Sequence, residues 1–319
     1  MTKASYISIS PGMLRPDTKS PFDTFLRRNR NYVLFNAGGG IFTEAKRQEL
    51  VNNNIDNLYI DSAALNAYRD YLQDNIADVL TDECIPLDER AEAWTGTALH
   101  LGKGVFEKNL PGPALKQRFQ RFERLLKNST QFLKSPRALK QLARFISKGY
   151  DDYRHGISTM VYTVSLMQEF DYNDGKVLAC GMGALLHDIG KTSLPAEILA
   201  KDPNLLTDEE RDTLHLHPMV GARICSHFNV SSTTSNAILF HHEREDGTGY
   251  PTRATGDQIP THAKILRLCD VYDNLTRPQP WRKQFTPFEA LKNIMEDEGL
   301  VNKDLLKKFI EMLARAEIV

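Results

Sequence analysis

The 319-residue sequence has almost no net charge: Lys and Arg number 40, Asp and Glu 41. No global field therefore draws the chain to a nucleic-acid polymer or an anionic membrane surface, and any recognition of phosphate has to be local. It also lacks an apolar run of the roughly 18 to 20 residues needed to cross a bilayer. Its opening, MTKASYISIS, has none of the apolar centre of a secretory signal. The expectation is a cytoplasmic protein with no membrane span. Cysteine is scarce. Cys84, Cys180, Cys225 and Cys269 stand far apart with no CxxC pair, which excludes a thiolate zinc site and leaves buried free thiols as the reading. Repeats and low-complexity tracts are missing too. With 41% hydrophobic and 25% charged residues, the composition suits two folded domains.

Strand signals are confined to the N-terminal part. Tyr6–Ile9 and Tyr32–Phe35 are short runs of β-branched and aromatic residues, and Leu58–Ile60 follows a helical stretch from Thr43 to Asn52. These predict a small α+β domain over residues 1–83. Gly38-Gly39-Gly40 is followed by no Gly-Lys-Ser/Thr and reads as a turn, and the Arg27, Arg28, Arg30 cluster as a solvated face. From Leu65 onward the periodicity is helical. Between Pro113 and Pro136, Leu115, Phe119, Phe122 and Leu126 mark one apolar stripe, expected of a helix packed on its neighbours or of a homodimer helix. Residues 84–123 read as a helical connector. Further helices are expected at 137–149, 151–170, 174–187, 207–216, 218–228, 233–243, 261–276, 286–297 and 302–316. Thr207 with Glu210 forms a capping box, and Asn173 and Ser232 read as caps. The fold class is mainly α: an all-helical domain over 124–319, a smaller N-terminal α+β domain, and the connector.

Histidine is what the sequence concentrates. Of nine, only His100 lies outside the window 155–262. His187-Asp188 ends an apolar helix, where burying an imidazole beside a carboxylate is costly unless a partner or cation compensates. Gly190 is expected to end that helix and let Lys191 turn back on the pair. His241-His242 ends a second apolar helix, His217 precedes Pro218 at a helix start, His155 lies near another start, and Asp270 interrupts the apolar run Ile265–Cys269. Asp151, one turn before His155, adds an oxygen on the same face. Imidazole with carboxylate and no thiolate suits iron, manganese or a similar ion better than structural zinc. So many ligands imply more than one ion. His215, two residues from His217, points elsewhere and is at most a supporting group, while His227 and His262 read as ordinary core or surface residues.

In order and spacing, His155, the stretch His187-Asp188-Ile189-Gly190-Lys191, His217-Pro218, the run from His241-His242-Glu243 through Gly249-Tyr250-Pro251, and Asp270-Val271-Tyr272-Asp273 closely resemble the HD-GYP subgroup of HD-domain phosphohydrolases. The resemblance covers 124–319, and it is the joint pattern that is specific. It implies a bacterial phosphodiesterase acting on cyclic di-GMP through two or three divalent ions, iron or manganese. Carried over residue by residue, the metal ligands are Asp151, His155, His187, Asp188, His217, His241, His242 and Asp270, with Asp188 bridging two ions and Asp151 standing where members with a third ion usually have Glu. Asp188 and Lys191 become the catalytic residues, Lys191 contacting the scissile phosphate. Gly249, Tyr250 and Pro251 form the loop that shapes the substrate pocket and docks partners such as GGDEF diguanylate cyclases. A hydroxide bridging two ions would attack phosphorus in line, opening the ring to pGpG, with GMP after a second cleavage.

One departure stands out. The subgroup commonly has two basic residues in an Arg-Pro-Tyr-Arg stretch, and here the segment is Gln279-Pro280-Trp281-Arg282. Arg282 matches the second position, and Arg277 is the expected substitute for the first if its guanidinium swings inward. An active phosphodiesterase is the leading expectation. A non-hydrolytic cyclic di-GMP receptor, or an adaptor docking a diguanylate cyclase, is the alternative that Gln279 supports. A nucleotide phosphohydrolase of the wider HD group accounts for the His-Asp pairs but not for Gly249-Tyr250-Pro251.

Overall fold

The first strands form where the β-branched and aromatic runs lie. Tyr6–Ile9 (β1) pairs antiparallel with Leu58–Asp61 (β6), which in turn meets Thr24–Arg28 (β3), itself paired with Asn31–Asn36 (β4), giving the sheet order β1-β6-β3-β4. Thr18–Lys19 (β2) and Ile41–Phe42 (β5) form a separate two-stranded ribbon. β2, β3 and β5 were not expected. β3 escapes the sequence because its second half is Arg27-Arg28, while its pairing is enforced by a two-residue turn: Asn29 and Arg30 both have positive φ, 48° and 70°, the geometry that matches strand twist. The arginine cluster is thus the tip of a hairpin. The triple glycine is a turn, with Gly39 at φ 80° and the Gly38 N–H donating to Asp23 Oδ1 at 2.6 Å. Glu44–Asn52 (α1), capped by the Thr43 hydroxyl, covers the sheet's apolar side, where Ile9, Phe22, Phe42, Leu50, Leu58 and Ile60 are buried together. Leu65–Asp74 (α2), Ile76–Thr81 (α3) and Leu87–Val105 (α4) follow.

This computed structural model describes residues 5–107, 112–149 and 151–319. The chain forms two compact units, Met1–His100 and Leu101–Val319. The division falls inside α4 and inside the stretch expected as a connector, of which residues 108–111 lie outside the described part. Among the described residues no helix is long and apolar enough to cross a membrane.

The second unit is helical: Gly112–Leu133 (α5), Pro136–Ile146 (α6), Asp152–Met167 (α7), Asp174–Leu186 (α8), Ala196–Leu199 (α9), Asp208–Leu214 (α10), His217–Ser226 (α11), Ser232–Phe240 (α12), Thr261–Thr276 (α13), Pro287–Glu296 (α14) and Lys303–Arg315 (α15). Thr207 makes the expected capping box and Asn173 caps α8, whereas Ser231, not Ser232, caps α12. The helices expected at 137–149 and 151–170 stop earlier, at Ile146 and Met167. The α5 stripe is covered by helices of the same chain, α6, α7 and α8, so Phe119, Phe122 and Leu126 are buried. Cys180, Cys225 and Cys269 are buried free thiols, but Cys84 is exposed.

α7 is the centre of this unit, buried from His155 to Met167 on all sides. It packs against α8 and α13, and α8 packs against α12. Two glycines permit the close crossings that bring the ligand-bearing helix ends together. A Cβ at Gly156 would stand 2.4 Å from the Leu185 carbonyl oxygen, so only glycine lets α7 approach the end of α8 that carries His187. Gly190 does not end α8, as expected; it sits in the 3-10 turn Ile189–Ser193, where a Cβ would come within 2.0 Å of the His217 carbonyl oxygen. That contact seats the turn on the start of α11. Gly190→Ala is therefore expected to push α11 away, costing about 1–3 kcal/mol and separating His217 from Asp188. Thermal unfolding together with metal analysis of the variant checks this.

Candidate metal centre

Four helix ends or starts and the middle of a fifth helix converge. His155 leaves the first turn of α7, His187 and Asp188 follow α8, His217 opens α11, His241 and His242 follow α12, and Asp270 projects from the middle of α13. All are buried except His242, which is half-buried. Two ligand groups result, Asp188 with His217, His241 and His242, and Asp188 with His155 and His187, the donor atoms of each lying within 4.8 Å of one another. Asp188 belongs to both, with one oxygen toward each. Oδ2 stands 3.3 Å from His187 Nε2, and Oδ1 stands 3.3 Å and 3.8 Å from the Nε2 atoms of His217 and His241. Asp270 Oδ1 lies 3.0 Å from His155 Nε2 and 3.7 Å from His187 Nε2.

The hydrogen bonds show that this arrangement fits a cation. Nδ1 of His187, His217 and His241 lies 2.7, 2.7 and 2.6 Å from the carbonyl oxygens of Ala184, Leu214 and Ile238, each three residues back. A carbonyl only accepts, so each Nδ1 donates and each Nε2 presents its lone pair. Two of these lone pairs face each other, His217 Nε2 standing 3.2 Å from His241 Nε2, and His187 Nε2 stands 3.1 Å from His155 Nε2. Asp188 Oδ1 is buried and has no hydrogen-bond partner among the described residues. Facing imidazole lone pairs beside an unpartnered Asp188 Oδ1 call for positive charge, and imidazoles oriented through the opposite nitrogen are the usual support of a metal site.

Electrostatics agree for the group around His241 and His242. Burial and the neighbouring imidazoles hold His241 and His242 well below the usual histidine pKa, so both rings are neutral. Burial opposes ionisation of Asp188, but Lys191 and His187 outweigh it and keep the carboxylate ionised. Burial also opposes a charged His155, yet the Asp270 and Asp273 carboxylates lift its pKa to about 9.

Lys191 does turn back, placing Nζ 2.6 Å from Asp188 Oδ2. The His155, Asp188 and Lys191 side of the cluster opens into a cleft of about 700 Å³ whose walls include Asp151, Asp152, Tyr153, Asn274, Gln279 and Trp281. Asp151 lines this cleft but is not brought into either ligand group; its side chain is 52% exposed and its carboxylate pairs with Arg154 at 3.1 Å. Among the described residues lining the cleft, none comes from Gly249-Tyr250-Pro251. That loop folds over the other side of the cluster, with the Tyr250 ring stacked between His215 (3.8 Å between centroids) and His242 (4.5 Å). The loop is seated tightly, since a Cβ at Gly249 would come within 2.5 Å of the His242 carbonyl oxygen.

Arg277 does not swing toward the site. It is 1% exposed, and its guanidinium donates to Asp273 (2.9 Å), Ser158 and the Gly149 carbonyl. Asp273 in turn accepts from His155 Nδ1 at 2.7 Å, so Arg277 steadies the support of a ligand. Arg282 is spent on the carbonyls of Asn274 and Leu275 at the end of α13. Gln279 donates to Asn274 Oδ1 at 3.2 Å, and Asn274 donates to Asp270 Oδ1 at 2.8 Å, a polar chain from the departing residue to the cluster. Sequence reasoning missed Asp273 and Glu243 as supports. Both stand within motifs already singled out, Asp273 one helical turn after Asp270. Buried Glu243 accepts from Thr252 N (2.7 Å) and Ala254 N (3.0 Å), fixing the loop that follows Pro251.

The HD domain family model matches residues 120–304, more than half of the chain. The chain belongs to the HD domain family. Its HD domain is of the HD-GYP type and is 34% identical over 184 residues to the cyclic di-GMP phosphodiesterase PA4108 of Pseudomonas aeruginosa, covering 57% of this chain and 44% of that protein. It is 32% identical over 196 residues to the cyclic di-GMP phosphodiesterase response regulator RpfG of Xanthomonas campestris pv. campestris, covering 58% and 50%. The chain thus spans about half the length of the curated relatives it matches. The solved structure of an HDG"Y"P protein from Bdellovibrio bacteriovorus superposes with a TM-score of 0.65 over 97% of this chain and 100% of that one, at 24% identity, so the HD domain and the N-terminal unit share that protein's fold.

Proposed function

We propose that this chain is a metal-dependent phosphodiesterase that opens cyclic di-GMP to pGpG, with iron or manganese held by His155, His187, Asp188, His217, His241 and Asp270. The observation that carries the reading is Asp188, which lines an open cleft and offers one carboxylate oxygen to each of two buried imidazole groups, with Lys191 beside it. When bound, the ions would supply an acidified water and neutralise charge building on phosphorus. The chain's own residues do the rest. Asp188 and Asp270 supply the cluster's negative charge, and the Lys191 ammonium, held above its usual pKa against the pull of burial by Asp188 and Asp152, is placed to meet a non-bridging phosphate oxygen. Tyr153 and Trp281 offer aromatic faces to a base, and a 700 Å³ cleft is of the size that encloses a ligand of this class.

Anaerobically purified, metal-loaded protein incubated with cyclic di-GMP is expected to release pGpG on chromatography. Binding without product would favour the receptor or adaptor reading instead. One observation favours that alternative: Gln279 carries no charge, and the guanidinium groups of Arg277 and Arg282 donate to the protein's own oxygens.

A further inference from the structure

Four of the five histidines in the cluster donate Nδ1–H to an oxygen, three to backbone carbonyls and His155 to Asp273. His242 is different. Its Nδ1 stands 3.1 Å from Nη1 of Arg267. A guanidinium has donors only, so Nδ1 accepts and the hydrogen of the neutral ring sits on Nε2. Neither nitrogen then offers a lone pair to an ion, because one is engaged by Arg267 and the other carries the hydrogen. The ring is stacked on Tyr250 at 4.5 Å with 22° between planes, which fixes its plane. Arg267 is held in place by the site itself. Its side chain is 16% exposed, Nη1 also reaches Asp270 Oδ2 at 3.3 Å, and its buried Nε has no partner among the described residues.

We propose that Arg267 withholds His242 from coordination, so that the two ion sites of this chain are unequal. The ion beside His155, His187, Asp188 and Asp270 has four protein donors, of which Arg267 touches only the outer oxygen of Asp270, and is held the more tightly. The ion beside Asp188, His217 and His241 has three protein donors, feels the nearby guanidinium, and is acquired last and lost first. Arg267 is in this sense a positioning residue that tunes how the enzyme follows divalent metal supply. The inference rests on the metal reading above and deepens it.

The test is calorimetric titration of Mn²⁺ alone into the metal-stripped full-length protein, with folding of every variant checked by circular dichroism. The wild type is expected to bind two ions in steps at least about tenfold apart. Because groups that support a ligand typically shift metal affinity about 10- to 100-fold, Arg267→Met should tighten the weak step by that factor. His242→Ala should change the weak step less than about twofold in the wild type, yet erase the gain in the Arg267→Met background. His241→Ala should abolish the weak step in both. If His242→Ala weakens the second step of the wild type as strongly as His241→Ala does, or if two ions bind with equal affinity, the proposal is overturned. Arg267→Ala serves as a second variant should the methionine disturb packing. No binding by any protein would overturn the metal reading itself.

Discussion

Asp188→Ala is expected to strip both ions and lower kcat/KM for cyclic di-GMP by about 10⁴-fold or more, a loss of about 5.5 kcal/mol of transition-state stabilisation. The expectation follows from its geometry. Asp188 is the one residue common to both ligand groups, so its removal takes an oxygen from each at once. Asp270 remains beside His155 and His187 but stands on one side of the cluster only, and the group of His217 and His241 is left with imidazoles whose Nδ1 hydrogens are committed to carbonyls. Removing one imidazole at the rim should cost less, since it takes a single donor from a single group. Elemental analysis and product chromatography on the same preparation read the two effects together. Retained metal or retained turnover in the variant would refute the bridging role.

Lys191→Met should behave differently, and the contrast separates holding the metal from using it. The methionine keeps most of the stem but removes the ammonium that sits 2.6 Å from Asp188 Oδ2. Metal content is expected to be unchanged or higher, because that ammonium competes with an ion for the same carboxylate oxygen. Turnover should fall about 10²- to 10³-fold, the usual effect of losing one charge aimed at a developing oxyanion. Wild-type kcat in Lys191→Met would remove Lys191 from the chemistry, whereas loss of metal would make it a structural partner of Asp188.

The short β-branched and aromatic runs Tyr6–Ile9 and Leu58–Ile60 were enough to place β1 and β6, because residues that suit a pleated, half-buried surface mark a strand locally. β3 was invisible, since Arg27-Arg28 carry no such mark and the strand exists through its hairpin turn and its partners. The helices of the second unit were legible for the same reason as β1, and their ends were less so. Helix ends depend on whether a cap is made, as at Ser231, and on what stands in the way.

The ligand identities were legible in residue type and helix position: His187 and Asp188 after an apolar helix, His241 after another, Asp270 interrupting a third. These are local facts, because burying such groups demands compensation wherever the chain goes. What only the tertiary structure decided is the supporting hydrogen bonds and the side from which each residue acts. Arg277 looked like a mobile substrate contact and is a buried brace of Asp273; Tyr250 looked like a pocket wall and covers His242; Arg267 drew no notice and engages a ligand's ring nitrogen. Each of those outcomes depends on which helices and loops meet, and a meeting of segments far apart in the chain leaves no period in the sequence around them.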